Sequence, residues 1–526
     1  MVKEINVDEL IKTMSLEEKV GQMFMFAFHG TTYNPQLDTL LKEAHVGGII
    51  HFARNIVDPN QVCKLNYDIL TNSNIPPLIG IDQEGGTVQR IIKDITPFPG
   101  AMALAASGES NKNICKYVGT DLKNMNYNMV FAPVADVNNN PQNPVINSRS
   151  YSDNPQVVSK YVKDAVEGFK EAGIIPTLKH FPGHGDTSVD SHISLPTVNK
   201  SLDKLNEIEF IPFKDASSIP DIAMMTSHVL YPALDNEYPA SLSKIIQTEL
   251  LRKKFGFDGI IISDSLTMGA VTTNFSVRDI IISSVNAGMD MLMFCGNADL
   301  SEQLDNVKTM VQAVKDGLIP MERVDESVAR LLRYKVKYAL SVQETFTKPS
   351  PVAMREGNEL SEKSITFITR GRGIDPKMLP INVNKPGKIL VIFPKIRLAS
   401  LIDNKGQEYT TLGHKLHKYN IPADELIVDD ELLNIEIIKN IQSKYDKIFF
   451  ATYNVKENDY QTKVYSILNP KKTIVVSMRS PYDILHLPDV KYYICIYEAT
   501  ELALQSCAKN IAGLHKFEGK APIKLD

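Results

Sequence analysis

The sequence predicts an α/β protein: a TIM-type (β/α)8 barrel followed by a smaller αβα sandwich domain. Short apolar runs, about eight of them, recur over roughly the first 300 residues and alternate with helical patterns. The runs are continuous rather than alternating, which indicates parallel strands that are covered on both faces. They read QMFMFAF, VGGIIHF, PLIGID, MVFAPVAD, GIIPTLKHF, IAMMTSHV, DGIIISDS and DMLMFCG.

The barrel is expected to occupy residues 1–340. Near its start, Ser15 and Glu18 form a capping-box pattern that predicts a helix N-terminus. Near its end, RVDESVARLLRYKVKYAL predicts a long helix. The polar, proline-containing stretch TFTKPSPVAMREG then predicts a linker over 341–364.

A second α/β domain is expected over 365–526, because the alternation of apolar runs and helical patterns resumes there. Its runs are KILVIFP, ELIVDD, KIFFATYN, KTIVVSMR and YYICIYEA.

Composition narrows the class of partners. The net charge of −5 and the absence of a long basic run argue against nucleic acid and anionic membranes as partners. No apolar stretch approaches ~20 residues, so membrane insertion is not expected. The N-terminal residues are charged, unlike a signal peptide, and the five scattered cysteines suit a reducing compartment. We therefore expect a cytoplasmic protein, monomeric or homodimeric, or a secreted one if an export signal was removed.

Polar residues follow five of the apolar runs, at the point where each predicted strand ends. Because the carboxyl ends of barrel strands meet on one face, these side chains are expected to share a site. They are Asp82, Glu84, Asp136, Lys179, His180, His228 and Asp264.

Asp264 follows three isoleucines in DGIIISDSLTMGA. A carboxylate at the mouth of an apolar strand is partly desolvated and firmly aimed, which suits a nucleophile or a metal ligand. Alternatively, Asp264 caps a helix that begins in SLTMGA.

The stretch KHFPGHGDTSVDSHISLP, beginning at Lys179, concentrates histidines and aspartates. His180 and His184 have the spacing of zinc ligands on a helix, but the prolines and glycines between them disfavour a helix. Asp190 and His192 lie two residues apart, so the carboxylate could orient the imidazole and raise its basicity for proton transfer. His184 and Asp186 are expected to make structural bonds within the loop.

Taken together, these segments resemble the bacterial β-N-acetylhexosaminidases of glycoside hydrolase family 3. The resemblance rests first on KHFPGHG, followed four residues later by Asp190, Ser191 and His192. It extends to IDQEGGTVQR, NSRSYSDNP, VGGIIHFARNI, MTSHVLYPALD, PASLS and IISDSLTMGA, and more weakly to NIAGLHKFEGKAPI near the C-terminus.

The resemblance implies an exo-acting, retaining β-N-acetylglucosaminidase that needs neither a metal nor an organic cofactor. Asp264 would be the nucleophile, His192 the acid/base, and Asp190 its orienting partner. Residues expected to bind the sugar are Asp82, Arg90, Arg149, Lys179 and His180. The substrate would be a small carbohydrate, either a peptidoglycan (muropeptide) fragment or a chitin oligomer. The second domain would act as a scaffold, or contribute to aglycone binding or to dimerisation.

Three alternatives stay open at this point. Phosphate could replace water, which would make the protein a β-N-acetylglucosaminide phosphorylase. The histidine and aspartate cluster could support a metal-dependent hydrolase. The scaffold could also serve a non-catalytic sugar-binding protein.

Overall fold

The computed structural model of the chain describes residues 6–189, 194–339, 341–396, 410–429 and 435–525. Its first part is a nearly closed barrel of eight parallel strands, which confirms the predicted fold class. The barrel strands are β1 (Phe24–Phe26), β2 (Gly48–His51), β3 (Leu78–Ile81), β6 (Met129–Val130), β7 (Ile175–Phe181), β8 (Ala223–Thr226), β9 (Ile260–Ser263) and β10 (Leu292–Phe294). A small antiparallel hairpin, β4 (Gln83–Gly85) and β5 (Val88–Gln89), follows β3.

Neighbouring barrel strands run in the order β10-β1-β2-β3-β6-β7-β8-β9. A parallel bridge between Ile262 and Met291 joins the two ends of this sheet. All the side chains of these strands are buried, because helices cover the outer face and the strands pack against each other inside. Each strand coincides with one of the apolar runs of the sequence.

The helices of the barrel domain are α1 (Val7–Thr13), α2 (Leu16–Gln22), α3 (Pro35–Lys42), α4 (Pro59–Thr71), α5 (Ala101–Ser107), α6 (Lys112–Lys123), α7 (Pro155–Ala172), α8 (Leu202–Glu207), α9 (Phe210–Ala216), α10 (Gly269–Thr272), α11 (Val277–Ala287), α12 (Leu300–Lys315) and α13 (Met321–Lys337). A wide-turned π-helical segment, Ile245–Lys254, precedes β9. The predicted capping box is present at α2: Glu18 N donates to Ser15 Oγ, and Ser15 N donates to the Glu18 carboxylate.

The second domain contains a six-stranded mixed sheet in the order β11-β16-β15-β14-β12-β13. Its strands are β11 (Thr366–Thr369), β12 (Ile389–Pro394), β13 (Asp424–Val428), β14 (Lys447–Thr452), β15 (Thr473–Ser477) and β16 (Tyr492–Cys495). Only β11 is antiparallel to its neighbour. The accompanying helices are α14 (Pro351–Ser364), α15 (Leu412–His417), α16 (Ile435–Ile441), α17 (Tyr460–Ile467) and α18 (Glu501–Ile511).

The segment predicted as a linker over 341–364 contains helix α14. Ser350 caps it by accepting a hydrogen bond from Ala353 N (3.2 Å), and Pro351 occupies the first helical position. Gly357 brings this helix close to the barrel: a Cβ atom there would lie 2.1 Å from the carbonyl oxygen of Pro97. The prolines and polar residues of the stretch thus include the start of helix α14.

The two domains share a hydrophobic cluster. Met102, Ala103 and Ala106 of α5 pack with buried residues of the second sheet, such as Ile392 and Phe450. The second domain therefore lies directly against the barrel. Along the described ranges, no helix combines the length and hydropathy required to cross a bilayer.

Candidate active site

An interlocked set of buried ion pairs lies at the carboxyl end of the barrel. Lys179 Nζ, at the end of β7, lies 2.8 Å from Asp82 Oδ1 and 2.6 Å from Glu84 Oε1. Arg90 Nη2 lies 3.1 Å from Asp82 Oδ2. Arg149 forms a bidentate pair with Glu84, with both N–O distances at 2.8 Å. The structure thus brings together Asp82, Arg90, Arg149 and Lys179, as the sequence predicted.

All five side chains of this ion-pair set are at most 8% exposed. Burial acts to raise the pKa of Asp82 and Glu84, but the neighbouring Lys179, Arg90 and Arg149 charges hold both pKa values below their ordinary range. Burial acts to lower the pKa of Lys179, and the two carboxylates outweigh it and raise that pKa. Asp82, Glu84 and Lys179 are therefore charged at neutral pH. The bidentate contact of Arg149 adds geometric specificity to the set.

The β4–β5 hairpin positions two members of the set. Gln83 crosses it: its side-chain oxygen accepts hydrogen bonds from Arg90 N (3.0 Å) and Ile91 N (3.2 Å). Gly85 and Gly86 make the turn with φ of 93° and 60°, in the left-handed region that favours glycine. Glu84 and Arg90 are consequently held on either side of one tight turn.

An irregularity in β7 aims two consecutive side chains into the site. The pairing register with β8 shifts between Lys179 and Phe181. In a regular strand Lys179 and His180 would point to opposite faces. The register shift instead lets Lys179 reach Asp82 while His180 reaches Asp136.

Asp136 bonds to the two histidines at the end of β7 and just after it. Its Oδ2 lies 2.7 Å from His180 Nδ1, and its Oδ1 accepts hydrogen bonds from His180 N (3.1 Å) and His184 N (2.6 Å). Burial acts to raise the pKa of Asp136, whereas the charge and hydrogen bond of His180 lower it. An ionised Asp136 therefore fixes the orientation of the His180 ring.

The residues that directly follow β7 are closely packed against the barrel. His184 Nδ1 lies 2.8 Å from Thr187 Oγ1, and both residues are buried. A Cβ atom on Gly185 would lie 1.7 Å from the Val137 carbonyl oxygen. The absence of a side chain at Gly185 therefore permits this close packing.

Asp186 also has a structural bond. Its Oδ2 lies 3.2 Å from Lys200 Nζ, and the same ammonium lies 2.5 Å from Glu209 Oε1. His184 and Asp186 thus both bond to residues of the segment between β7 and α8. Asp190 and His192 lie outside the described residues, so their roles stay predictions.

Asp264 leaves β9 at the same barrel end and is partly exposed. Its backbone N–H donates to the Thr226 carbonyl (3.0 Å), and its Oδ1 accepts a hydrogen bond from Ser265 N (2.7 Å). Helix α10 begins only at Gly269, with Met268 at its N-cap. The alternative interpretation of Asp264 as a helix cap is therefore wrong, and the carboxylate is aimed by the strand end.

The charge of Asp264 acts on two neighbouring titratable groups. Burial and the His180 charge lower the pKa of His184 to about 4, against an opposing effect of Asp264. Burial raises the pKa of Cys295 to about 12, and the charges of both Asp264 and Asp82 add to the effect. Asp264 therefore lies at the same barrel end as His184 and the ion-pair set, after a strand that pairs with the neighbour of β7.

His228, the remaining strand-end residue, supports the Asp264 segment. Its Nε2 lies 2.9 Å from the Ser265 carbonyl oxygen, and its Nδ1 lies 2.7 Å from Ser241 Oγ. Both nitrogens are thus engaged with neighbouring loops, which indicates a structural role.

The described side chains of the histidine and aspartate cluster make hydrogen bonds and ion pairs within the protein. His180 is engaged with Asp136, His184 with Thr187, and Asp186 with Lys200. Among the residues that the structure describes, no group of three or more histidine, cysteine or acidic side chains is arranged to hold a metal ion.

Sequence reasoning placed Glu84 and Asp136 at strand ends but assigned them no role. Glu84 joins Arg149 to Lys179, and Asp136 orients His180. The available signal was their position: each follows an apolar strand just as Asp82 and Asp264 do. Their partners come from segments far away along the chain, so the sequence alone does not show which residues pair.

Comparisons with known proteins agree with this geometry. The profile described as "Glycosyl hydrolase family 3 N terminal domain" matches residues 15–334. The "Beta-hexosaminidase A" of Pseudoalteromonas piscicida is 30% identical over 556 aligned positions, covering 94% of this chain and 92% of that protein. The "Beta-hexosaminidase" of Tolumonas auensis is 33% identical over 278 positions, covering 52% of this chain and 82% of that protein.

Among solved structures, a glycoside hydrolase family 3 β-N-acetylglucosaminidase from Paenibacillus sp. str. FPU-7 superimposes with a TM-score of 0.89. It is 34% identical, and the match covers 98% of this chain and 99% of that one. The likeness therefore extends through both domains.

Proposed function

Because the chain belongs to glycoside hydrolase family 3 and is a glycoside hydrolase, we propose that it is an exo-acting, retaining β-N-acetylglucosaminidase. The observation that carries the proposal is the charged set around Lys179, which lies at the same barrel end as Asp264. Carboxylates and cations held in fixed positions can hydrogen-bond the hydroxyl groups of one terminal sugar. The names of the relatives, hexosaminidase and β-N-acetylglucosaminidase, support N-acetylglucosamine as that sugar.

In the proposed reaction, Asp264 attacks the anomeric carbon while the bond to the leaving group breaks. His192 donates a proton to the departing glycosidic oxygen, and Asp190 holds the imidazole in the required orientation. The product of this step is a glycosyl ester on Asp264. His192 then takes a proton from water, which attacks the same carbon and releases Asp264. Two inversions at one carbon give overall retention.

A histidine in place of the usual second carboxyl group has a consequence for the leaving group. Acid assistance matters most when the leaving oxygen is basic. Replacing His192 with Ala should therefore slow natural disaccharides far more than activated aryl glycosides. Equal losses on both substrate types would remove His192 from the acid role.

The nucleophile is tested with a matched pair of aspartates at the two ends of one strand. Asp264 follows β9, while Asp258 precedes it and is 96% exposed. Asp264→Asn should abolish hydrolysis of an aryl β-N-acetylglucosaminide, and Asp258→Asn should retain it. Substantial turnover by folded Asp264→Asn would overturn the proposal.

The natural substrate is proposed to be a fragment with a terminal N-acetylglucosamine, from peptidoglycan or from chitin. The five cysteines are buried and free, which favours action in a reducing compartment, where recycled peptidoglycan fragments would be met. A direct test compares N-acetylglucosaminyl–anhydromuramyl peptide with chitobiose, each with and without phosphate. Release of N-acetylglucosamine supports hydrolysis, whereas N-acetylglucosamine 1-phosphate as the main product would assign phosphorolysis instead.

A further inference from the structure

Glu498, in the loop between β16 and α18 of the second domain, contacts the barrel next to the β4–β5 hairpin, which is proposed to bind the sugar. It is 2% exposed. Its Oε2 accepts a hydrogen bond from Gly100 N (2.5 Å), and its Oε1 accepts one from Thr500 Oγ1 (3.0 Å). One carboxyl group therefore connects the second domain to the segment that precedes α5.

Two barrel glycines make room for this carboxyl group. A Cβ atom on Gly86 would lie 2.5 Å from Glu498 Oε2, and one on Gly100 would lie 2.8 Å from it. Both distances are shorter than side-chain atoms tolerate, so Glu498 fills the space between the two glycines. The contact is built from both sides of the domain interface.

One of these glycines, Gly86, belongs to the hairpin that carries Glu84 of the candidate active site. Gly86 N donates to the Phe98 carbonyl (3.0 Å), and Gln89 Nε2 donates to the Gly86 carbonyl (2.9 Å). Gly86 sits in the turn of the β4–β5 hairpin, two residues after Glu84. A displacement of this turn would therefore move Glu84 and, through it, the ion-pair set around Lys179.

From this geometry we propose that Glu498 is a positioning residue for the sugar-binding hairpin, so that the second domain completes the site without touching the substrate. The proposal rests on the proposed function, because it assumes that the hairpin holds the terminal sugar. Burial raises the pKa of Glu498 to about 7, despite the hydrogen bonds from Gly100 and Thr500. A buried carboxyl group with so high a pKa is costly to keep, which favours a role beyond packing.

Two further contacts join the domains beside the site. Asn147 Nδ2 donates to Ser480 Oγ (3.1 Å), two residues before Arg149. The Tyr482 hydroxyl lies 3.4 Å from Asn138, which follows the Asp136 segment. Of these three described contacts, the one made by Glu498 borders the β4–β5 hairpin. Removing Glu498 therefore separates an effect on the hairpin from an effect on the docking of the two domains.

The experiment compares full-length variants on an aryl β-N-acetylglucosaminide. Glu498→Ala should raise KM about tenfold with a smaller change in kcat, because the sugar-binding groups are displaced while Asp264 is not. Glu498→Gln keeps the length and an acceptor oxygen, so KM should stay within about twofold of wild type. Glu498→Asp shortens the side chain and should raise KM, and it replaces the alanine variant if that one fails to fold.

Asp483 supplies the matched control. It is also a buried carboxyl group of the second domain with a pKa raised by burial to about 7, but it accepts a hydrogen bond from Val455 N (2.9 Å) within its own domain. Asp483→Ala should lower the melting temperature and leave KM unchanged. An unchanged KM in folded Glu498→Ala and Glu498→Asp, or a Gln variant as impaired as the Ala variant, would overturn the positioning role. Inactivity of the wild type on every N-acetylglucosaminide would instead overturn the proposed function.

Discussion

Removing the Lys179 charge is the sharpest perturbation of the ion-pair set. Lys179→Met keeps the approximate length and volume of the side chain but deletes the ammonium group that lies 2.8 Å from Asp82 and 2.6 Å from Glu84. Asp82 retains Arg90, and Glu84 retains Arg149. The variant therefore weakens the ion pairing of both carboxylates, and each one keeps an arginine partner.

The expected loss of stability is large because the ion pairs are buried. Removing one partner of a buried pair costs about 3–5 kcal/mol, and we expect about 3 kcal/mol because each carboxylate keeps an arginine. For a domain of this size that corresponds to a fall in melting temperature of about 5 °C. If Lys179 also binds the sugar, the lost charged hydrogen bond of about 1.5–3 kcal/mol should lower kcat/KM by roughly 10- to 150-fold.

Thermal unfolding and steady-state kinetics on an aryl β-N-acetylglucosaminide measure the two effects separately. Lys19→Met is the matched control, since Lys19 is largely buried and pairs with Asp325 at 2.8 Å on the outer helices. It should lose stability and keep kcat/KM. If Lys179→Met melts like wild type, the ion-pair energetics are wrong; if its kcat/KM is unchanged, Lys179 does not hold the sugar.

Three further predictions concern buried titratable groups. Folding lowers the pKa of His184 from its ordinary 6.5 to about 4, so the native state binds fewer protons than the unfolded state. The free energy of unfolding should therefore rise by about 3 kcal/mol as the pH rises between these values. Urea titrations of His184→Gln should lack this pH dependence, and an unaltered dependence would contradict the assignment. Glu498 should have the opposite effect, because folding raises its pKa from 4.5 to about 7. The free energy of unfolding should fall as the pH rises between these values, and Glu498→Gln should reduce that fall in the same urea titrations. Asp136→Asn should lower kcat/KM by about 10- to 100-fold, because the carboxylate orients His180; a loss of less than threefold would show that His180 needs no such orientation.

The barrel could be predicted from the sequence because its strands are buried on both faces. A continuous run such as GIIIS carries that signal within a few residues, and the eight runs coincide with the eight strands. The convergence of Asp82, Lys179, His180 and Asp264 followed from topology alone, since parallel strands of a barrel end on one face. That part of the site needed no knowledge of side-chain packing.

Pairings across the chain were not predictable in this way. Glu84 and Arg149 are 65 positions apart, and Glu498 and Gly100 are 398 positions apart. Such contacts depend on side-chain reach and on how the second domain packs against α5, which leave no local pattern in the sequence. The close approach of the Val137 carbonyl oxygen to Gly185 is another such contact, and it leaves no room for a side chain at Gly185.

The central claim, a covalent route through Asp264, is tested most directly by trapping the glycosyl-enzyme. A 5-fluoro N-acetylglucosaminyl fluoride slows release of the sugar from the enzyme, and peptide mass spectrometry locates the label. We predict one N-acetylglucosamine-derived adduct per chain, on the peptide that contains Asp264, and none in Asp264→Asn. Turnover of the reagent without an adduct, or an adduct on another residue, would contradict the account.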